Sequence, residues 1–229
     1  MTTRQHPVIG SALPQGRQRS RILVQTGAVA GMVGPVLFTA AFLVQQWARR
    51  GGYAWVAEPV SNLEAGPRGW IQQANFVVFG ALMGLFAVAL YRGLGRPRVR
   101  GLGPVLVGLS GLGLFLAALM PIEADAAGRP YDPGGHFVAG VTFFLGSALA
   151  QLALGLTLRH DERWVGVARY AVVCGSLALV GFVVLGRFAV PDEAPLHDWA
   201  GLAQRAVIML VTFPCLVAVA ARLHRISRA

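Results

Sequence analysis

Four residues carry side chains that move protons and stand where a substrate could reach them: Glu58, Ser61, Asp125 and His136. Asp125 or Glu58 can donate a proton once burial raises its pKa, and His136 can orient or recharge the donor. Ser61 follows Glu58 by three residues, so on a helical turn the two share one face. Arg205, Gln204 and Asn62 have the polarity to hold a headgroup, while Trp55, Trp70 and Phe76 offer aromatic faces that attract a cation. The chemistry these groups describe is acid–base work on a lipid or isoprenoid. It takes the form of hydrolysis or transfer at a headgroup, or of a cyclisation started by a proton.

The elements that must position them are membrane helices. Hydrophobic residues make up 55% of the 229-residue chain, charged residues 13%, and mean hydropathy is +0.58. A soluble domain carries about a quarter charged residues. Apolar runs at 22–47, 70–91, 102–121, 136–158, 165–187 and 199–221 each meet the roughly 20 residues that cross a bilayer core. The alternation of a membrane barrel is absent. The expected fold is therefore all-α: an integral membrane bundle of six transmembrane helices over 22–229, behind a disordered basic tail, 1–21. The first apolar run is too long for a signal-peptide core.

Charge orients the bundle. Eight of the ten carboxylates fall in three connecting segments: Glu58, Glu64, Glu123, Asp125, Asp132, Asp192, Glu193 and Asp198. Fourteen of the twenty arginines fall in the tail, the alternate connections and the C-terminus. The positive-inside rule then makes both termini cytoplasmic and the acidic segments external, in the cell membrane. The net charge of +10 has this cause rather than nucleic-acid binding. All twenty basic residues are Arg, which removes any lysine Schiff base.

Other motifs set bounds. Cys174 and Cys215 lie inside apolar runs and behave as small hydrophobes. Only His136 and His197 lie on the external side, too few imidazoles for a three-histidine zinc site, so no metal site is expected and no cofactor is indicated. Trp47, Trp55, Trp70 and Trp199 mark the external ends and Trp164 the internal one, as an aromatic belt does. Gly27-x-x-x-Gly31 and Gly80-x-x-x-Gly84 let helix backbones approach closely, within the bundle first and in a homodimer as the alternative. No span has a charge at mid-depth, which argues against an ion-coupled transporter. The competing reading is non-enzymatic: a transporter, sensor or assembly partner.

Val60-Ser61-Asn62-Leu63, Gly69-Trp70-Ile71-Gln72, Asn75-Phe76, Asp125 ahead of a Gly/Pro-rich loop and His136, and Gly201-Leu202-Ala203-Gln204-Arg205 resemble a bacterial and archaeal family of six-helix membrane proteins. That family is known as domain-of-unknown-function family 998. The resemblance covers all but the tail and implies topology and site location, not an activity. A more distant likeness is to the alkaline-ceramidase and adiponectin-receptor hydrolases, seven-helix proteins that hold zinc with three histidines. This chain departs from that pattern in its histidines.

Cysteine labelling checks the orientation. Cysteines placed at Ala127 and Ala194 should react with an impermeant reagent in intact cells, and one at Ser227 should not. Labelling at Ser227 would reverse the arrangement.

Overall fold

Residues 15–94 and 101–229 are described in the structure, a computed structural model. Every apolar run is a helix, because a backbone in hydrocarbon must satisfy its own N–H and C=O groups. The helices are α1 (Gln15–Ala48), α2 (Trp70–Gly93), α3 (Leu102–Leu119), α4 (His136–Leu158) and α5 (Val165–Val184). The sixth span is built from α6 (Ala200–Ala206) and α7 (Phe213–Arg228). Among the described residues six helices are long and apolar enough to cross a membrane, which makes this a multi-pass membrane protein.

The spans begin and end within a few residues of expectation, except at the two ends of the chain. Gln15–Arg21, assigned from the sequence to the tail, form the first turns of α1, and α7 continues to Arg228 rather than stopping at 221. The remainder of the expected tail, and Arg96, Arg98 and Arg100, lie outside the described residues.

Consecutive helices pack side by side, and α7 returns against α1. Faces turned away from the bundle are as apolar as the interior: Val36, Leu119 and Leu210 are all more than 60% exposed. That pattern is expected when the solvent is lipid. Small residues make the close contacts. Gly27 meets the Leu85 carbonyl, Gly31 the Phe86 ring and Gly80 the Gly111 carbonyl, so these three glycines serve packing between neighbouring helices of one chain, while Gly84 makes no such contact. A nest of aromatic rings fills the middle, with Phe79 5.0 Å from Phe38 and 5.3 Å from Phe213.

Two π-helical turns interrupt the last spans, Leu185–Ala189 at the end of α5 and Val207–Thr212 between α6 and α7. The second precedes Pro214, whose ring cannot donate a hydrogen bond and crowds the preceding turn. A wider turn relieves that conflict, and such turns often flank functional sites.

Three connections gather at one end, here the carboxylate-rich end. The first holds a 3₁₀ turn, Val60–Glu64. The second is a short hairpin pairing β1 (Glu123–Ala124) with β2 (Pro130–Tyr131). The third ends in the 3₁₀ turn His197–Trp199. The first connection is bolted to the start of α6: Gly201 and Leu202 donate their N–H groups to Ala57 and Val56, at 3.0 and 2.9 Å. Position 201 must be glycine for this contact, since a Cβ there would collide with the Glu58 carbonyl and lie 2.6 Å from the Trp55 carbonyl.

Gly201→Ala should therefore lower the melting temperature in a fixed detergent, because backbone on both sides has to move. Gly84→Ala, where a Cβ meets nothing within 4 Å, should leave it unchanged or raise it by the helix preference for alanine, up to about 1 kcal/mol. Equal effects of the two would show that the junction is not tight.

Candidate active site at the carboxylate-rich end

His136 opens α4, at the boundary between the second connection and the apolar core. Its ring is buried and tilts toward Phe76 at 6.1 Å between centroids. Nδ1 lies 2.9 Å from the Met120 carbonyl and 3.3 Å from Glu64 Oε2. A carbonyl only accepts, so Nδ1 carries hydrogen and the lone pair of the neutral ring is on Nε2.

Glu64 is the last residue of the 3₁₀ turn, only 5% exposed, and its Oε2 also accepts the Ile122 N–H at 3.1 Å. Oε1 is buried without a hydrogen-bond partner among the described residues. Burial pushes this carboxyl up to about 8, against the opposing effect of the Ile122 N–H. Its proton belongs on Oε1, because Oε2 already faces two donors. The pair thus stays uncharged as carboxylic acid plus imidazole, or holds the same number of protons as carboxylate plus imidazolium.

His136 forms part of the wall of a cavity of about 250 Å³ between the ends of α2 to α6. The lining is mainly apolar, with Phe38, Phe76, Phe143, Phe144 and Phe182 contributing rings. Ser61, Asn62, Asp132, His136 and Gln204 supply the polar groups. Asp132 organises the start of α4: its carboxylate accepts the N–H groups of Gly134, His136 and Phe137 at 2.9, 3.2 and 2.8 Å. Burial pushes its pKa up, but those three donors outweigh it and hold the group below the usual carboxylate range. Gln204 accepts the Val60 N–H at 2.7 Å and so fixes the turn that carries Ser61 and Asn62.

The expected convergence of Glu58, Ser61, Asp125, His136 and Arg205 on one pocket is corrected. Ser61, Asn62, Phe76, His136 and Gln204 do meet at the cavity; Glu58, Asp125, Arg205, Trp55 and Trp70 are not in its lining. Asp125 instead closes the exposed tip of the hairpin, accepting the backbone N–H groups of Ala127 and Arg129 and pairing with the Arg129 guanidinium at 2.8 Å. The Arg129 N–H is the main cause of its lowered pKa, which is the wrong direction for an acid at neutral pH. Glu58 Oε1 turns back to the Ala54 N–H at 2.8 Å, away from Ser61. Trp55 and Trp70 are exposed, as headgroup-level rings are.

Arg205 is buried, and none of its partners is a carboxylate. Its guanidinium donates to Gln46 Oε1, the Tyr53 hydroxyl and the carbonyls of Glu58 and Gly201, at 2.6–3.2 Å. The rings of Phe42 and Tyr53 lie within 6 Å of it. It holds the first connection in place.

Glu64 and Asp132 are what sequence reasoning passed over. Glu64 was grouped from the sequence only with the carboxylates that orient the bundle. The available signal was its apolar setting, Leu63 and Ala65 on either side, directly after the Val60–Leu63 motif. Among the described residues no group of three His, Cys, Asp or Glu side chains is placed to hold a metal.

The fold and site define a multi-pass membrane protein with a buried glutamate–histidine pair beside an apolar cavity. Residues 32–221 match the profile of the family described as protein of unknown function (DUF998), and the chain belongs to that family, as its motifs led us to expect. No curated protein and no solved structure matches it.

The titration of Glu64 can be read from stability. Unfolded, the carboxyl loses its proton near 4.5; folded, it keeps it to about 8. The fold therefore binds the extra proton in this window, and its stability should fall as pH rises from about 4.5 to about 8, by at most about 1.4 kcal/mol for each pH unit. Glu64→Gln should flatten that stretch of the melting-temperature curve. Identical slopes in the two proteins would mean that Glu64 is ionised throughout.

Proposed function

We propose that this protein is a membrane-embedded enzyme that performs acid–base chemistry on a lipid or isoprenoid substrate, with its site at the external face of the cell membrane and both termini in the cytoplasm. The observation that supports the reading is His136 on the wall of an apolar cavity with a buried carboxyl directly behind it. His136 is the proton-transferring group. Its Nδ1–H is fixed by Met120 and Glu64, which leaves Nε2 to take or give a proton. When Glu64 is ionised, a proton taken by Nε2 from the substrate leaves carboxylate and imidazolium side by side with no net charge, and giving a proton back leaves the carboxylate to offset the cation formed on the substrate.

The cavity of about 250 Å³ falls below the roughly 300–1,000 Å³ of sites that enclose a whole drug-sized ligand. It suits part of a chain or a headgroup. Ser61, Asn62 and Gln204 are placed to orient a polar substituent. The rings of Phe76, Phe143 and Phe144 would stabilise a developing cation, which favours proton-initiated cyclisation within the class. Hydrolysis or transfer at a headgroup uses the same proton carrier.

The test compares lipid extracts incubated with wild-type protein, His136→Gln and Glu64→Gln, read by mass spectrometry. Wild type should convert at least one lipid species, and His136→Gln should slow that conversion by about 10²-fold or more, the usual size of a general acid–base contribution. Asp125→Asn should convert at the wild-type rate. No species changed by wild type would favour a non-enzymatic role, and full turnover by His136→Gln would remove His136 as the proton carrier.

A further inference from the structure

A second site lies on the opposite side of α1, on the flank of the bundle. A groove of about 910 Å³ runs between α1 and the turn leading into α2. Its floor is apolar, from Leu37 through Ala41 and Val44, with Ile71 opposite. Leu37 to Ala48 covers about 16 Å of helix at 1.5 Å per residue, a length that matches a stretch of acyl chain. Arg49 and Arg68 form its mouth, level with the exposed Trp47 and Trp70 rings that mark the headgroup region.

The charge at this mouth is not balanced. Arg49 donates to the carbonyls of Leu63 and Ala65, both neutral, and stacks near the Tyr53 ring. Arg68 is exposed, and among the described residues no carboxylate pairs with it. Arg50 stands beside them, over the Trp47 ring at 4.9 Å. No described acidic residue lines the groove, and Glu64, the nearest in sequence, faces His136 instead. At this same end Arg129 is paired with Asp125 and Arg205 is enclosed by acceptors. Arginines are disfavoured on the carboxylate-rich side of a membrane protein, and here Arg49 and Arg68, neither paired with a described carboxylate, line one apolar groove, with Arg50 next to Arg49 in sequence.

We infer that this groove binds an anionic glycerophospholipid, its phosphate between Arg49 and Arg68 and one acyl chain along α1. The site is separate from the cavity beside His136 and does not depend on any activity there. Each arginine near a membrane surface contributes about 1 kcal/mol toward an anionic headgroup, about a fivefold change in affinity. The occupant is a lipid rather than a free phosphate, because most of the groove is apolar and only its mouth is charged.

Native mass spectrometry of the purified full-length protein tests this, with phosphatidylglycerol and phosphatidylcholine titrated in a neutral detergent. Phosphatidylglycerol should bind at least about tenfold more tightly, and Arg68→Asn should weaken it by about fivefold. Asn is chosen because position 68 has φ 63°, a conformation Asn accepts. Ala41→Phe, which fills the floor without touching charge, should also displace the lipid, and it decides the matter if Arg68→Asn fails to fold. Water-soluble glycerol 3-phosphate should not compete. Equal binding of the two lipids, undiminished binding to folded Arg68→Asn, undiminished binding to Ala41→Phe, or full competition by glycerol 3-phosphate would overturn the inference.

Discussion

Arg205 has five N–H donors in the interior of the bundle, and neighbouring oxygens accept from all three of its nitrogens. None of those oxygens belongs to a carboxylate. A buried cation without a counter-ion is costly unless every donor is satisfied and nearby electron density offsets the lost water. The carbonyls of Glu58 and Gly201, the Tyr53 hydroxyl and the two flanking rings together do this. Tyr53 contributes as a neutral phenol, because burial raises its pKa and outweighs the opposing influence of Arg205. The hydroxyl passes its own hydrogen on to the carbonyls of Glu58 and Pro59. The arginine thus fastens an irregular stretch of backbone, 53–59, to two helices, and the placement of the turn that carries Ser61, Asn62 and Glu64 follows from that enclosure.

That anchoring determines the chemistry several residues later. Once Val60 is held by Gln204, the following 3₁₀ turn has little freedom, and Glu64 emerges toward the second connection rather than toward lipid. Gly69 completes the placement: a Cβ there would strike the Glu64 carbonyl, so the entry to α2 packs directly against the glutamate's backbone. Gln45 and Arg49 add hydrogen bonds to the Leu63 carbonyl from α1. Glu64 consequently reaches His136 from a different connection, and a pair distant in sequence acquires a geometry that neither segment could hold alone.

The spans were legible in the sequence because hydrophobic length is a one-dimensional property, and 70–91 or 136–158 needed no knowledge of neighbours. His136, Ser61, Asn62, Phe76 and Gln204 were also legible as residues that meet, since polar groups at the ends of apolar helices have few places to go. Asp125 was misjudged because its true partners are its own neighbours: a short hairpin folds Arg129 back onto it. The sequence contains no sign that this local solution outcompetes a long-range one. Glu64 was missed for the reverse reason. Its partners, Ile122 and His136, lie 58 and 72 residues away, and the apolar neighbours Leu63 and Ala65 hint at burial without saying what the carboxyl meets. The structural role of Arg205 was hidden for another reason: backbone carbonyls are present at every position and leave no signature of which ones will serve.

Seven buried side-chain atoms are left without partners among the described residues, four of them on Ser147, Gln151 and His224 in α4 and α7 and three near the first connection. Gln45 Oε1, Glu64 Oε1 and Gln72 Nε2 belong to segments packed around the first connection. Amide reversal does not relieve them. Gln45 Nε2 is committed to the carbonyls of Leu63 and Arg68, and Gln72 Oε1 accepts from Asn75, whose own Nδ2 is fixed by the Phe38 carbonyl. Each unsatisfied group costs about 1–3 kcal/mol, which leucine or methionine at the same positions would avoid. A bundle shaped by stability alone has no reason to keep a carboxylic acid in that neighbourhood, one wall away from an apolar cavity. Costs of this kind mark places where a structure serves something other than its own stability, and Glu64 is the one such group that stands against His136.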